Sequence, residues 1–520
     1  MGNDSPKTRF PDEMNRRTLL QTASLAAPAA WLAARGPAST MAQDQGGQQK
    51  ITVVLPEEPP DLDPFYYALS HIPVTRNIYD GLVNRAPQGT DLLPGLATEW
   101  TATDPTTWRF TLREGVTYHN GAAFNAESVA FAFNWILSHE TRATGTFVEG
   151  SVVTVVDGLT LDVTSPTPDP ILPRKLFFVG LPEPETFEAD PVAALRAPIG
   201  TGPYRLVDYR GGDRITLEVF PDYWGEAPAI TAADFVYRTE SSVRVSMIEA
   251  GEAQIARDIA PQDAQQTRAV AITIPETPFL RLDVPSPPLS DLRIRQAINS
   301  AIDREELAKT VFGGYAVPAG QLVTDTVVGY NPELVPAPYD PQKAQQLVEA
   351  ARADGVPVDL ELTIFGRNGI YPNAGEAMEV VLIWLQAIGL NVTVNMMDVA
   401  AWTDVILQQP IPEERRGIIQ SSSGNELGDA SGPVTGYFTS TGSQSPLRDP
   451  KIDEMQAAAL VLSGEERNKA YQDLLKYVHD THMPVIPMVH IQAIYGLAEG
   501  VTWEPRADNL ILLKDVQIAG

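Results

Sequence analysis

Arg367 stands in Phe365-Gly366-Arg367-Asn368-Gly369, a Gly-flanked loop after an apolar strand. A guanidinium suits an anion because its planar fork donates two parallel hydrogen bonds. The bland alternative is an ordinary surface arginine. Glu426 and Asp429 lie in SSSGNELGDASG, residues 421–432. Surface-loop carboxylates are usually just solvated, whereas the hydroxyls of Ser421 to Ser423 could bond a polar, non-peptide ligand. Tyr66, Tyr67 and Trp402 are candidate ligand-contacting aromatics. Flat rings offer apolar area at small entropy cost, and polar tips orient a ligand, although core packing is the commoner fate of a single ring. His479, His482 and His490 form the one histidine cluster. An HxxH at a helix end could ligate a metal, but no carboxylate ligands accompany it in a recognisable spacing, so no metal and no cofactor is expected. The chain contains no GxSxG elbow, HExxH or Walker loop, so enzyme readings are poor.

The elements that must position these residues are those of a large α/β protein. The chain has 520 residues, 43% hydrophobic and 20% charged, enough for two or three domains with sizeable cores. A net charge of −28 argues against nucleic acid or an anionic membrane as partner. With no cysteine, disulfides, thiolate metal sites, cysteine nucleophiles and a lipid-modified N-terminal Cys are excluded. Asn15-Arg16-Arg17-Thr18-Leu19-Leu20 resembles the twin-arginine export motif, and an Ala-rich apolar stretch follows it to Leu32. Residues 1–42 are therefore expected to be a signal segment cleaved near Ala42, with Ala38 as the rival site. The apolar run is too short for a membrane span, so no direct membrane anchor is expected.

Trp108 to Leu112 alternates apolar and polar residues as a half-buried strand does. Asn125 then caps a helix to about Ser138, on which Val129, Phe133, Ile136 and Leu137 share a face. Later signals include a helix capped by Ser290, a second opened by Asp303 with Glu306, and a third opened by Asp340-Pro341. Strands are expected at Leu360–Phe365, Asn391–Met397 and Pro484–Val489.

The wording of these blocks resembles bacterial extracellular solute-binding protein family 5, the peptide- and nickel-binding proteins of ABC importers. Arg113, Gly115, Val116, His119, Gly121, Ala126, Glu127 and Val129 match its signature. So do Leu62-Asp63-Pro64, Gly200-Thr201-Gly202-Pro203-Tyr204 and the string from Asp291 to Arg304. The resemblance implies a two-lobed α/β periplasmic binding protein of the class II, cluster C type, with an extra domain inserted in the N-terminal lobe. Its lobes would close on ligand as a hinge. The expected division is lobe I from 51–83, 197–283 and 491–520, the inserted domain from 84–196, and lobe II from 284–490. Gly200 to Tyr204 would be a crossing between the lobes.

By the same resemblance, Arg367 would pair with a ligand carboxylate and Glu426, or alternatively Asp429, with a ligand ammonium. Trp402 and Tyr66 would line the cleft. Ser stands where peptide-binding members carry Trp, and Ala430 where they carry Pro, so a nickel chelate, an opine or a sugar-type ligand remains the alternative to a di- or oligopeptide. A secreted hydrolase or periplasmic chaperone is the reading from another class. The expected partners are the small ligand and a membrane ABC permease, and the expected state is a periplasmic monomer.

Overall fold

The computed structural model describes residues 49–519 apart from Thr144. The signal segment and its cleavage sites lie outside the described residues. Lys50–Leu55, KITVVL, reads as a nearly continuous apolar run, and its side chains are buried from Val53 onward. That pattern belongs to a central strand covered on both faces. It pairs in parallel with Ala232–Tyr237 on one side and Ile255–Ala256 on the other. They sit inside an eight-stranded sheet that also contains Tyr204–Arg210, Arg214–Val219, Arg268–Thr273 and Val489–Leu497.

A five-stranded sheet forms the other lobe. Its order is Val392–Met397, Leu362–Arg367, Gly417–Gly424, Glu276–Leu282, Val485–Pro487. The first three strands run parallel, while Glu276–Leu282 runs antiparallel between its neighbours. The helices Leu292–Ala301, Pro341–Ala353 and Ala374–Ala387 send apolar faces into a core that includes Ile298, Val348, Val381, Leu362 and Ile418.

The chain crosses between the two sheets at Ile274-Pro275 and at Met488. Arg268–Thr273 is antiparallel to Val489–Leu497 on one side, and Glu276–Leu282 is antiparallel to Val485–Pro487 on the other. The crossings therefore form one ribbon shared by both sheets, and the short strand Ala316–Pro318 pairs with Val489–Ile491 beside it as the eighth strand of the large sheet. Backbone bonds continue through it: the Ile274 N–H donates to the Ile491 carbonyl at 3.2 Å, and the Met488 N–H to Pro278 at 3.0 Å. The expected boundary after Asp283 is corrected accordingly. Glu276–Leu282 already bonds into the five-stranded sheet, and Val489 already bonds into the large one. Alternation within a strand reports its buried face, not the sheet it joins.

Gly200 to Tyr204 is not a crossing between lobes. It leads into Tyr204–Arg210 at the edge of the large sheet, and it packs on the backbone of Ile78. A Cβ at Gly200 or Gly202 would overlap the Ile78 carbonyl, so close approach of two chains requires glycine there. His119 fastens the same segment, its Nδ1 accepting from the Gly200 N–H at 3.3 Å and its Nε2 lying 3.0 Å from the Gly202 carbonyl.

A smaller antiparallel sheet of four strands, Ala97–Asp104, Thr107–Leu112, Thr160–Thr164 and Val152–Asp157, carries the helix Ala126–Ser138. Asn125 accepts from the Ser128 N–H, and Ser128 returns a bond from its side chain, a reciprocal cap. Val129, Phe133 and Ile136 bury against Phe110, Leu161 and Val163. Asp303 and Asp340 cap as expected. Asp291, not Ser290, caps Leu292–Ala301, because its carboxylate reaches the Arg293 N–H. Among the described residues no helix is long and apolar enough to cross a membrane.

Gly200→Ala must displace backbone, and is expected to cost about 1–3 kcal/mol of unfolding free energy. Gly436→Ala, where a Cβ meets nothing, should stay within about 0.5 kcal/mol. Paired urea titrations measure both.

Candidate functional site

The parallel strands Leu362–Arg367, Val392–Met397 and Gly417–Gly424 end at one edge of the five-stranded sheet, the edge at which Glu276–Leu282 begins. Ligands of open α/β sheets bind outside such carboxyl ends. Arg367 is the last residue of its strand. Its backbone N–H donates to Gln420 Oε1 at 2.7 Å. The Gln420 amide is buried, and its Nε2 donates to the Tyr371 hydroxyl and the Ala374 carbonyl, both at 2.8 Å. The Gln420 carbonyl in turn accepts from Trp402 Nε1 at 3.1 Å. The Trp402 ring packs on Ile406 and Ile419 and carries the Arg367 guanidinium 5.0 Å from its centroid. Among the described residues no carboxylate lies within 4.0 Å of Arg367, and its Nε is buried without a partner. Arg367 and Trp402 are thus brought together, with Gln420 as the part that sequence reasoning missed. A buried Gln inside an apolar strand, GIIQ, was the available signal.

Glu426 follows the strand Gly417–Gly424 and lines a cavity of about 540 Å³ together with Tyr66, Tyr67, Arg142 and Phe178. The structure therefore brings Glu426 and Tyr66 together, while Arg367 and Trp402 lie outside the wall of this cavity. Glu426 is exposed to the cavity, and neighbouring protein partly desolvates its carboxyl. This desolvation raises its carboxyl, against the opposing pull of a backbone N–H and of Arg85. Arg142 lies 4.5 Å over the Tyr66 ring and pairs with both oxygens of Asp61 at 2.9 and 3.0 Å. Lys175, on the same wall, is paired with Asp169 at 2.8 Å. Both cations of the cavity wall are already neutralised, and Glu426 is not.

Asp429 does not belong to the site. It is 1% exposed and holds Arg467 through both oxygens, at 2.7 and 2.8 Å. Burial opposes its charge, but the Arg467 hydrogen bonds and charge hold the carboxyl below its usual range. The histidines are not gathered either. His479 meets Asp480, His482 Nε2 lies 2.7 Å from Asp449, and His490 Nδ1 lies 2.8 Å from Thr277 Oγ1. Among the described residues, no three metal-ligating side chains of the His, Cys, Asp and Glu types come together.

Contacts that join the lobes include two beside Glu426 and Thr326, besides Asn373 Nδ2 donating to Gln262 Oε1 at 3.4 Å. Arg85 Nη1 donates to the Glu426 carbonyl, and Thr90 Oγ1 donates to the Thr326 carbonyl. Arg85 is buried, stacked 4.1 Å from the Phe177 centroid, and desolvation lowers its guanidinium to about 10. Neither bridge has a local sequence signal, since each joins segments far apart in the chain.

Residues 91–445 match the bacterial extracellular solute-binding proteins, family 5. The chain belongs to that family. It is 30% identical to the dipeptide-binding protein of Escherichia coli K12 over 56% of this chain and 61% of that relative, so this match spans less than two thirds of the relative's length. It is 26% identical to the glutathione-binding protein GsiB of Salmonella typhi, over 91% of this chain and 95% of that one. Among solved structures, the ABC transporter substrate-binding protein CtaP of Listeria monocytogenes superposes with a TM-score of 0.81 at 21% identity, covering 90% of this chain and 99% of that one. The fold is thus the two-lobed α/β architecture expected of the family.

Because Asp429 is a structural partner of Arg467, Arg467→Ala leaves a buried carboxylate uncompensated. Unfolding free energy is expected to fall by about 3–5 kcal/mol. Loss of less than about 1 kcal/mol in chemical denaturation would show that the pair is dispensable.

Proposed function

We propose that this protein is the periplasmic substrate-binding component of an ABC importer. It captures a small zwitterionic ligand between its lobes, a di- or oligopeptide or a related amino-acid-derived compound, and delivers it to the membrane permease. The observation that carries the reading is a pair of uncompensated opposite charges on one cleft edge. Among the described residues no carboxylate lies within 4.0 Å of Arg367, and the Glu426 carboxylate forms no ion pair within 4.0 Å, although Arg85 acts on it from further off. A free carboxylate and a free ammonium are the groups such a pair would neutralise. Tyr66 and Tyr67 supply apolar wall beside Glu426, as small-molecule sites commonly do. The dipeptide- and glutathione-binding relatives support the same ligand class. Ligand would favour closure through the contacts it makes with both lobes only when they meet, while Arg85 to Glu426 and Thr90 to Thr326 join the lobes directly. Export by the twin-arginine route and a monomeric state belong to the same proposal.

Native mass spectrometry of protein taken from the periplasm, before and after denaturing release, identifies the ligand. A set of peptide masses supports the reading, and a single non-peptide mass overturns it. With the released ligand in hand, Arg367→Ala is expected to weaken binding by about 10- to 100-fold, the loss of a charge-assisted hydrogen-bonded pair. Unchanged affinity in titration calorimetry would remove Arg367 from the site.

A further inference from the structure

A cavity of about 530 Å³ is lined by residues within 76–94, 203–223 and 502–517. None of them comes from the five-stranded sheet or its helices, so its walls do not depend on whether the lobes are open or closed. Residues 502–517 form one wall, and Asn77 pins it. Asn77 Nδ2 donates to the Ile511 carbonyl and its Oδ1 accepts from the Leu513 N–H, each at 2.8 Å. Arg506 Nη2 adds a bond to the Arg85 carbonyl at 2.9 Å. Arg76 precedes Asn77 on the helix Ile72–Ile78, so one turn both fixes the wall and supplies a cation to the cavity.

Two buried donors of this lining have no acceptor among the described residues. Trp503 is 4% exposed, its ring stands edge-on to Tyr495 with centroids 4.9 Å apart, and its Nε1 has no partner. Arg76 is 8% exposed; its Nη2 donates to the Phe177 carbonyl at 2.8 Å, and its Nη1 has no partner. Both residues line this cavity and neither of the two cavities beside Glu426. Arg85 also has unbonded donors, Nε and Nη2, but it lines the cleft floor as well. Buried polar groups nearly always have a partner, and a buried donor left alone keeps its full desolvation penalty. Every unpartnered group here donates, so a molecule that completes them must accept.

The neighbouring acids do not fill that role. Among the described residues no carboxylate lies within 4.0 Å of Arg76, although Asp80 and Asp508 act on it from further off. Asp80 Oδ2 accepts from Trp224 Nε1 at 2.8 Å and from Thr201 Oγ1 at 3.2 Å. Asp508 is bound to Arg506 through both oxygens, at 2.6 and 3.0 Å. Asp515 pairs with Lys514 at 2.7 Å. Asp515 and Glu504 are exposed, and the high dielectric of water weakens their repulsion of an anion.

We propose that this cavity is a second binding site, separate from the cleft, for a small organic anion. Arg76 and Trp503 hold its carboxylate or phosphate head through charge-assisted hydrogen bonds, and Leu510, Leu512 and Pro203 line the space for its apolar body. The volume lies in the range of small-molecule pockets. The site goes beyond the cleft reading and stands without it, because none of Arg367, Trp402, Tyr66 and Glu426 contributes to its lining.

The test is titration calorimetry of the purified protein with benzoate, phenyl phosphate and benzyl alcohol, on wild type, W503F, R76Q and R367A. Wild type is expected to bind benzoate or phenyl phosphate at least about tenfold more tightly than benzyl alcohol, and W503F and R76Q should each weaken that binding by about tenfold. R367A, altered at the cleft, should leave it unchanged. Which of the two anions binds more tightly distinguishes a carboxylate from a phosphate head. Benzyl alcohol binding as tightly as the anions, no binding of either anion, or unchanged affinity in W503F overturns the site. Anion binding that R367A abolishes belongs to the cleft and overturns it too. W503F keeps an aromatic ring against Tyr495 and removes a single N–H, so it decides the matter even where R76Q does not fold; thermal unfolding without anion shows which variants are folded.

Discussion

Everything in this structure hangs on the ribbon that runs from one sheet into the other, flanked at the crossing by Ala316–Pro318. The lobes are joined covalently at Ile274-Pro275 and at Met488, and the two passages are hydrogen-bonded to each other on both sides of the junction. A ribbon of this kind resists shear along its length but can bend across it, because bending changes a few backbone torsions and breaks no ladder. Proline at position 275 carries no N–H donor, so the junction forfeits no ladder bond there. The cleft, its floor and the bridging contacts of Arg85 and Thr90 all take their positions from this one connection.

Within the second lobe the corresponding fixed point is the buried side chain of Gln420. One amide bonds the Arg367 backbone, the Tyr371 hydroxyl and the Ala374 carbonyl, while its main-chain oxygen holds the Trp402 indole. A buried amide left partly unsatisfied would cost about 1–3 kcal/mol per lost bond, so the network is worth its place only when complete. Completed, it fixes two side chains on neighbouring elements without using the loop between them. This edge of the sheet is therefore held by one network although its residues come from a strand end and a helix.

Much of the fold was legible in the chain because its signals are local. The cap at Asn125, the openings at Asp303 and Asp340, and the buried face of Ala126–Ser138 each depend on residues three or four apart. The division into lobes was harder, since membership in a sheet depends on partners two hundred residues away. Site residues divided along the same line. Tyr66 and Glu426 meet in one cavity and Arg367 meets Trp402, but Asp429 was misread because its partner, Arg467, lies on another helix. An acidic loop residue and a buried ion-pair partner look identical until the second residue is placed. Gln420 and Arg85 escaped notice for a related reason: each is unremarkable alone and acquires its contacts from what the fold puts beside it.

The strongly negative chain raises the question of whether the cleft merely shares in a general acidity. Net charge of −28 is spread over a large surface, and at physiological salt a charge is screened beyond about 8 Å. Most surface carboxylates therefore contribute little at the cleft floor. What acts there is the short-range balance, and it differs from place to place. At the strand edge Arg367 meets no carboxylate within 4.0 Å among the described residues, whereas the Glu426 carboxyl feels the opposing charge of Arg85. Low effective dielectric in a closed cleft strengthens each local imbalance. The general acidity of the surface is left with solubility as its physical consequence.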